Sequence, residues 1–163
     1  MVVVLMGVTG SGKTTVGEQL AAELGWTFAD ADDFHPPANK AKMRAGIPLT
    51  DDDRWPWLQA LRQLIEQSLD SRRGAVIACS ALKFAYREVL AGGLADVHFV
   101  LLDGDPAVLK ARLAARRHEF MNPALLDSQI AALERPVDAI RVDIELPVGE
   151  QVRQIRAVLG VSR

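Results

Sequence analysis

The residues best able to do chemistry stand near the start of the chain, where Gly7-Val8-Thr9-Gly10-Ser11-Gly12-Lys13-Thr14 fits the pattern G-x-x-x-x-G-K-[ST]. Glycines at these spacings let successive backbone N–H groups turn inward around an anion. Lys13 adds an ammonium that reaches the β- and γ-oxygens of a polyphosphate, and the Thr14 hydroxyl is a ligand for Mg²⁺. Thr15 carries the loop into a helix whose N-terminal end bears partial positive charge. These groups together predict a site for a nucleoside triphosphate, with Mg²⁺ bridging its phosphates.

Such a loop works only between a strand and a helix, and both are legible. Val2-Val3-Val4-Leu5-Met6 is an apolar, β-branched run of the kind buried on both faces of a parallel sheet. From Thr14 to Leu24, the residues Val16, Leu20, Ala21 and Leu24 recur at helical intervals, and Gly25 is a natural stop. Further along, Thr27-Phe28-Ala29, Ala75-Val76-Ile77-Ala78-Cys79, Val97 to Leu102 and Arg141 to Ile144 read as strands. A helix is expected from about Arg54 to Ser71, with Trp57, Leu58, Leu61, Leu64, Ile65 and Leu69 on its apolar face. Thr50 to Asp53 are its capping candidates, Pro56 falls in its first turn, and Asp105-Pro106 opens another helix. Alternation of strand and helix predicts a three-layer α/β fold, with ligands at the carboxyl ends of the strands.

At 163 residues the chain is expected to form one domain spanning 1–163. The 49% hydrophobic and 25% charged shares are those of a globular protein rather than a disordered one. A net charge of −2 argues against nucleic acid as a partner. One cysteine, Cys79, excludes an internal disulfide and suits a reducing, cytoplasmic setting, where it reads as a buried apolar residue. No segment has the length and apolarity of a membrane span, and the N-terminal apolar run has no basic leader, so neither a membrane nor a signal peptide is expected. The oligomeric state stays open, a homodimer being one arrangement. Switch GTPases need N-K-x-D, whereas the nearest string is Asn39-Lys40-Ala41-Lys42, and no D-x-x-G follows. A small chain with one phosphate loop fits a kinase of a small metabolite most economically.

Longer segments carry a resemblance. Phe28 to Pro36, the block Asn39 to Leu58, Cys79-Ser80-Ala81-Leu82-Lys83 with Tyr86-Arg87, and Leu125-Leu126-x-Ser128-Gln129-x-x-x-Leu133-Glu134-x-Pro136 closely resemble the small P-loop gluconokinases. The likeness runs from about Leu5 to Pro147, and its block from Asn39 to Leu58 separates this family from shikimate and adenylate kinases. The resemblance implies transfer of the ATP γ-phosphate to the 6-hydroxyl of D-gluconate. It also implies a P-loop kinase fold with a five-stranded parallel core, a substrate segment at about 30–58 and a helical lid at about 112–135.

Roles follow within that frame. Asp30 and Asp32 are two apart just beyond a strand, so extended backbone would project both from one side. By likeness to related metabolite kinases, Asp32 orients or deprotonates the acceptor hydroxyl and Asp30 serves the outer shell of the metal held by Thr14. His35, before Pro36-Pro37, either contacts sugar hydroxyls or caps the next helix. Gluconate is an anion, so Arg54, Lys83 and Arg87 are candidates for its carboxylate, Arg54 for its two-donor fork. Arg87 lies one helical turn beyond Lys83 and is expected to face the same way. The duller role for Arg54 is a surface pair with the Asp51 to Asp53 run. Trp55 and Trp57 read as packing residues.

In the lid, Arg112 and Arg116 stand four apart on one helical face. In similar kinases the first lies against adenine and the second reaches the phosphates, which with Lys13 and Asp32 makes Arg116 a catalytic candidate. Relatives commonly continue Gly-His-Phe, whereas this chain reads Arg117-His118-Glu119-Phe120-Met121. A shikimate-kinase-like enzyme, another sugar-acid or polyol kinase, and a nucleotide-binding regulator without turnover are the alternatives.

Overall fold

The computed structural model describes residues 1–116 and 123–162. Among them a five-stranded parallel sheet is built from β1 (Val2–Met6), β2 (Thr27–Asp30), β3 (Ala75–Ala78), β4 (Val97–Asp103) and β5 (Ile140–Asp143), in the order β2-β3-β1-β4-β5. β1 lies at the centre, paired with β3 through Val2↔Ala75 to Leu5↔Ala78 and with β4 through Val2↔Val97 to Met6↔Leu101. All five of its residues are fully buried, because both faces are covered. Successive side chains alternate between those faces. Val3 and Leu5 join an apolar cluster with Val16, Leu20, Val152 and Ile155, while Val2, Val4 and Met6 join another with Leu58, Leu61, Ile65 and Leu90.

The first cluster is covered by α1 (Lys13–Leu24) and α7 (Val148–Leu159), the second by α3 (Asp51–Asp70) and α4 (Phe84–Ala91). Three layers result. The helices α2 (Pro37–Arg44), α5 (Pro106–Ala115) and α6 (Pro123–Ala132) lie between these elements in the chain. α1 ends at Gly25, whose left-handed φ of 67° lets its N–H return to Ala21 and Ala22 carbonyls.

Several boundaries differ from the sequence expectation by a residue or more, two of them with a visible cause. α3 starts at Asp51 rather than near Arg54, because Thr50 and Asp53 form a reciprocal capping box: Asp53 N–H donates to Thr50 Oγ1 at 3.1 Å and Thr50 N–H to Asp53 Oδ2 at 2.9 Å. Pro56 consequently falls in the second turn. β5 runs one residue earlier than expected, set by its register of Val100↔Ile140 to Asp103↔Asp143 with β4.

The seam between α1 and β2 has no spare room. A Cβ at Gly17 would stand 2.6 Å from Phe28 Cε2 and 3.2 Å from Leu5 Cδ1. Gly17→Ala must push the helix off the sheet directly behind the phosphate loop. We expect it to cost about 1–3 kcal/mol of stability, the usual penalty of overpacking, read as a lower urea midpoint at unchanged m-value. An unaltered midpoint would show that the seam yields freely.

Candidate active site

The loop between β1 and α1 takes up left-handed backbone at Gly7 (φ 145°), Gly10 (φ 80°) and Gly12 (φ 93°). At Gly7 a side chain is excluded twice over, since a Cβ would lie 2.9 Å from both the Leu102 carbonyl oxygen and Ser11 Oγ. Gly12 is the N-cap of α1 and offers no side chain, and the first turn carries no acid, so the positive end of the helix keeps its charge for a ligand. Lys13 Nζ donates to the carbonyls of Gly7 at 3.0 Å and Val8 at 3.1 Å. Burial pulls its pKa below the ordinary lysine value, with the negative charges of Asp32 and Asp30 acting in the opposite direction.

Beside Lys13 stands the D-x-D segment, though not in extended form. Asp30 closes β2, and a 3₁₀ turn over Ala31–Phe34 follows at once. Asp30 Oδ1 accepts from the Asp32 N–H at 3.0 Å, capping that turn, and Oδ2 accepts from Thr14 Oγ1 at 3.2 Å. The turn, rather than a shared strand face, brings the two carboxylates together. α3 pins it from outside, because Trp57 Nε1 donates 2.7 Å to the carbonyl of Ala31, the residue between them. Burial, and then Asp30, pushes the Asp32 pKa above the usual carboxylate range, with Lys13 opposing.

The segment that follows the D-x-D turn is organised around His35. Its ring stacks on Trp57 at 4.3 Å and 14° and is buried. Asn39 Nδ2 lies 2.7 Å from the Asp53 carbonyl, which only accepts, so the amide nitrogen faces that way. The same nitrogen is 3.2 Å from His35 Nδ1. Nδ1 therefore accepts, and the neutral ring carries its proton on Nε2. Burial, with Arg54 and Lys40 nearby, pulls the His35 pKa down to about 4, so the ring stays neutral at physiological pH.

A cation cluster lies at the start of α3 and α4. Arg54 donates to the Leu49 carbonyl at 2.7 Å and lies 5.7 Å from the centre of the Tyr86 ring. Lys83 Nζ lies 5.5 Å from the same ring centre and 3.4 Å from Asp51 Oδ1. Tyr86 donates its hydroxyl proton to that carboxylate at 2.5 Å, and Arg54 is 4.0 Å from it. Two cations and a phenol thus converge on one carboxylate oxygen, and Arg54 makes the pair with the Asp51 to Asp53 run that the sequence offered as its duller role.

A family model described as an AAA domain matches residues 2–136. The thermosensitive gluconokinase of Escherichia coli (strain K12) is 45% identical over 165 residues, covering 98% of this chain and 88% of that protein. The chain belongs to the gluconokinase family. A crystal structure of a gluconokinase from Sinorhizobium meliloti 1021 superposes with a TM-score of 0.84 at 45% identity, covering 97% of this chain and 90% of that one. An unliganded sugar kinase from Janibacter sp. HTCC2649 gives 0.89 at 44% identity, covering 98% and 94%. A shikimate kinase from Aquifex aeolicus, 23% identical with a TM-score of 0.63, shares the fold alone.

Several candidate residues of this gluconokinase-family chain take places the sequence did not foresee. Arg87 does not face the same way as Lys83. Its guanidinium is buried and donates to the carbonyls of Ala81 (2.8 Å), Leu82 (3.1 Å) and Glu134 (2.8 Å). Ala81 is left-handed (φ 44°), so these bonds brace the turn that presents Lys83. Arg112 lies in the last turn of α5, and Arg116 is the cap residue after it, where ψ 85° turns the chain that follows out of the helix. Arg112 donates to the Ile144 carbonyl at 2.5 Å, while the charge of Arg116 acts on Lys13. His118 and Glu119 lie outside the described residues. Cys79 is buried, and its thiol is pushed up to about 12, which leaves no thiolate for chemistry. Asn39, Asp51 and Tyr86 complete the site through contacts that no local pattern signals.

The raised Asp32 pKa gives a signed prediction. The folded chain binds this proton more tightly than the unfolded chain, so ionising Asp32 costs stability as pH rises through the raised value. Asp32→Asn should therefore melt no lower than wild type at pH 8 while turnover falls by about 10²-fold or more. Asp33→Asn should be nearly silent in both. The acid limb of the kcat/KM profile should lie above the ordinary carboxylate value of about 4, with no limb near the ordinary histidine value of about 6.5, since His35 is pulled down to about 4. Equal activity losses at Asp32 and Asp33 would contradict the arrangement.

Proposed function

We infer that the protein transfers the γ-phosphoryl group of ATP to the 6-hydroxyl of D-gluconate. The observation that carries this reading is the placement of Asp32 beside the phosphate-loop lysine, within a segment that leads directly to a cation cluster suited to a carboxylate. Phosphoryl transfer needs alignment and charge neutralisation more than covalent chemistry, and this chain's residues divide those tasks.

Lys13 exchanges the Gly7 and Val8 carbonyls for phosphate oxygens. The loop residues Gly7, Val8, Thr9, Gly10, Ser11, Gly12, Thr14 and Thr15 wrap the phosphates, with the open N-terminus of α1 facing the anion. Within the chain itself the N–H groups of Gly7, Thr9 and Ser11 go to Ser80, Gln129 and Val8. Arg116 adds positive charge near Lys13 as charge spreads over the transferring group, and Arg112 supports the nucleotide from the lid. Asp32 accepts the hydroxyl proton, its raised pKa making it a better base than a free carboxylate. His35, fixed as a neutral donor at Nε2, offers a hydrogen bond to a sugar oxygen, and Arg54 with Lys83 holds the carboxylate.

Mg²⁺, when bound, would supply charge neutralisation for the phosphates. Thr14 and Asp30 are the residues that fit it. One hydroxyl and one carboxylate are too few for an all-protein cage, and among the described residues no cluster of three His, Cys, Asp or Glu stands ready for a metal. That donor set suits an ion which keeps waters and takes phosphate oxygens.

Substrate choice gives the test. Wild type should prefer gluconate strongly over sorbitol, which offers similar hydroxyls without the anion. Arg54→Lys keeps the charge but loses the fork, and Arg54→Ala loses both. The preference, measured as a ratio of kcat/KM, should shrink stepwise, each step worth about 1–3 kcal/mol, with ATP binding scarcely altered. An Arg54→Ala protein that keeps the whole preference would place the carboxylate elsewhere.

A further inference from the structure

One side chain joins the segment after the D-x-D turn to the two helices that flank it. Asn39 of α2 is buried, and its amide nitrogen carries two protons. One meets the Asp53 carbonyl of α3 at 2.7 Å and the other meets His35 Nδ1 at 3.2 Å. Both donors are spent, and an amide nitrogen cannot accept a proton from the ring. The neutral ring therefore keeps its proton on Nε2. Among the described residues no group is bonded to Nε2. Nor is it one of the buried side-chain atoms without a partner, which among those residues are Ser11 Oγ, Gln151 Oε1 and Arg156 Nε. The Nε2–H is open to a ligand.

His35 also shares a turn with Asp32. Its N–H closes the 3₁₀ turn by donating to the Asp32 carbonyl at 3.4 Å, and residues three apart in that geometry set their side chains on the same side. Trp57 holds both ends of the turn, stacking on the His35 ring at 4.3 Å while its Nε1 donates to the Ala31 carbonyl at 2.7 Å. A fixed donor and a carboxylate thus share one side of a braced turn. A sugar hydroxyl has a single proton, and a hydroxyl that gives it to Asp32 can only accept from His35. Were the ring proton on Nδ1, a bare Nε2 would compete with Asp32 for the hydroxyl proton.

We propose that Asn39 is a positioning residue for the acceptor substrate, holding His35 as the Nε2–H tautomer so that the ring and Asp32 take opposite parts at one sugar hydroxyl. This role rests on the segment being the sugar-acid site, and it adds a residue placed behind those that meet the substrate. The charges around the ring support it. Arg54 of α3 and Lys40 of α2 are cations that, together with burial, keep the ring from taking a second proton. Asp32 and Asp33 lie on the turn that His35 ends, and the Lys42–Asp53 pair, at 2.8 Å, meets Asn39 only through the Asp53 carbonyl.

¹⁵N NMR of the imidazole reads the tautomer directly. Wild type should show Nε2 protonated and Nδ1 bare from about pH 6 to about pH 8, with no titration of the ring. Asn39→Asp replaces the donor by an acceptor of the same shape. It should draw a proton to Nδ1 and raise the pKa of His35, because a carboxylate favours the charged ring. Above that pKa Nε2 is bare, and the KM for gluconate should exceed the wild-type value by about 3- to 10-fold, the loss of one hydrogen bond, with the KM for ATP within about twofold. Below it the ring carries both protons and Nε2 donates again, so the ratio of the two KM values for gluconate should fall back toward wild type. Lys42→Ala removes a different link between α2 and Asp53 and should alter neither the tautomer nor the KM for gluconate. A ratio in Asn39→Asp that does not change with pH would overturn the proposal, as would an equal rise in Lys42→Ala. Should Asn39→Asp not fold, the wild-type spectrum decides alone: Nε2–H supports the proposal and Nδ1–H overturns it. Wild type that leaves gluconate unphosphorylated brings down the sugar-acid reading and this role with it. Wild type active on gluconate beside an Asn39→Asp protein that behaves like it brings down this role alone.

Discussion

The structure turns on a lysine ammonium taken largely out of water at the carboxyl edge of a parallel sheet. Burying a cation is costly unless partners compensate, and the arrangement around Lys13 supplies them. Two loop carbonyls accept from it, and Asp30 and Asp32 face it with negative charge that partly offsets the desolvation. Desolvation, and then the charge of Asp30, leave Asp32 holding its proton more tightly than a free carboxylate, against the opposing pull of Lys13. In the proposed function Lys13 moves to phosphate oxygens and Asp32 receives a proton. Each residue's readiness depends on the other's position.

Holding that pair in place takes the rest of the fold. β1 is buried on both faces and paired on both edges, so the loop leaves a fixed point. The D-x-D turn is tied to α1 through Thr14, to itself through the Asp30 cap and to α3 through Trp57. α3 in turn starts at a capping box that places Asp51 and Arg54 together beside Tyr86 and Lys83. Sheet, turn and helix start therefore form one rigid path from phosphate loop to cation cluster. α5, α6 and the chain after it meet this path through Leu113, Gln129 and Glu134, whose partners are mostly backbone groups.

Much of this was legible in the sequence because it is local. The loop's glycines, Lys13 and Thr14 form a contiguous string whose chemistry needs no tertiary context, and the apolar run of β1 announces its burial. The fold class followed from alternation of strand and helix, and the family from the block between Asn39 and Leu58. What escaped was non-local or depended on backbone detail. Arg87 reads as a free cation, yet its guanidinium is committed to carbonyls up to 47 positions away. The spacing of Arg112 and Arg116 does not announce that α5 ends at the second of them. The Asp30–Asp32 pairing was right in outcome and wrong in geometry, since a 3₁₀ turn replaced the extended backbone. α7 did carry a signal in Val148, Val152, Ile155 and Leu159, spaced for one helical face.

The central claim is that this site joins ATP to the terminal hydroxyl of a sugar acid. Its most direct test is ³¹P and ¹³C NMR of the product formed from Mg·ATP and D-gluconate by the purified protein. The account predicts ADP in step with one phosphomonoester, coupled to the terminal CH₂ carbon of the sugar acid. ADP with free phosphate and no phosphoester, or a phosphoester formed on shikimate in preference to gluconate, would contradict it.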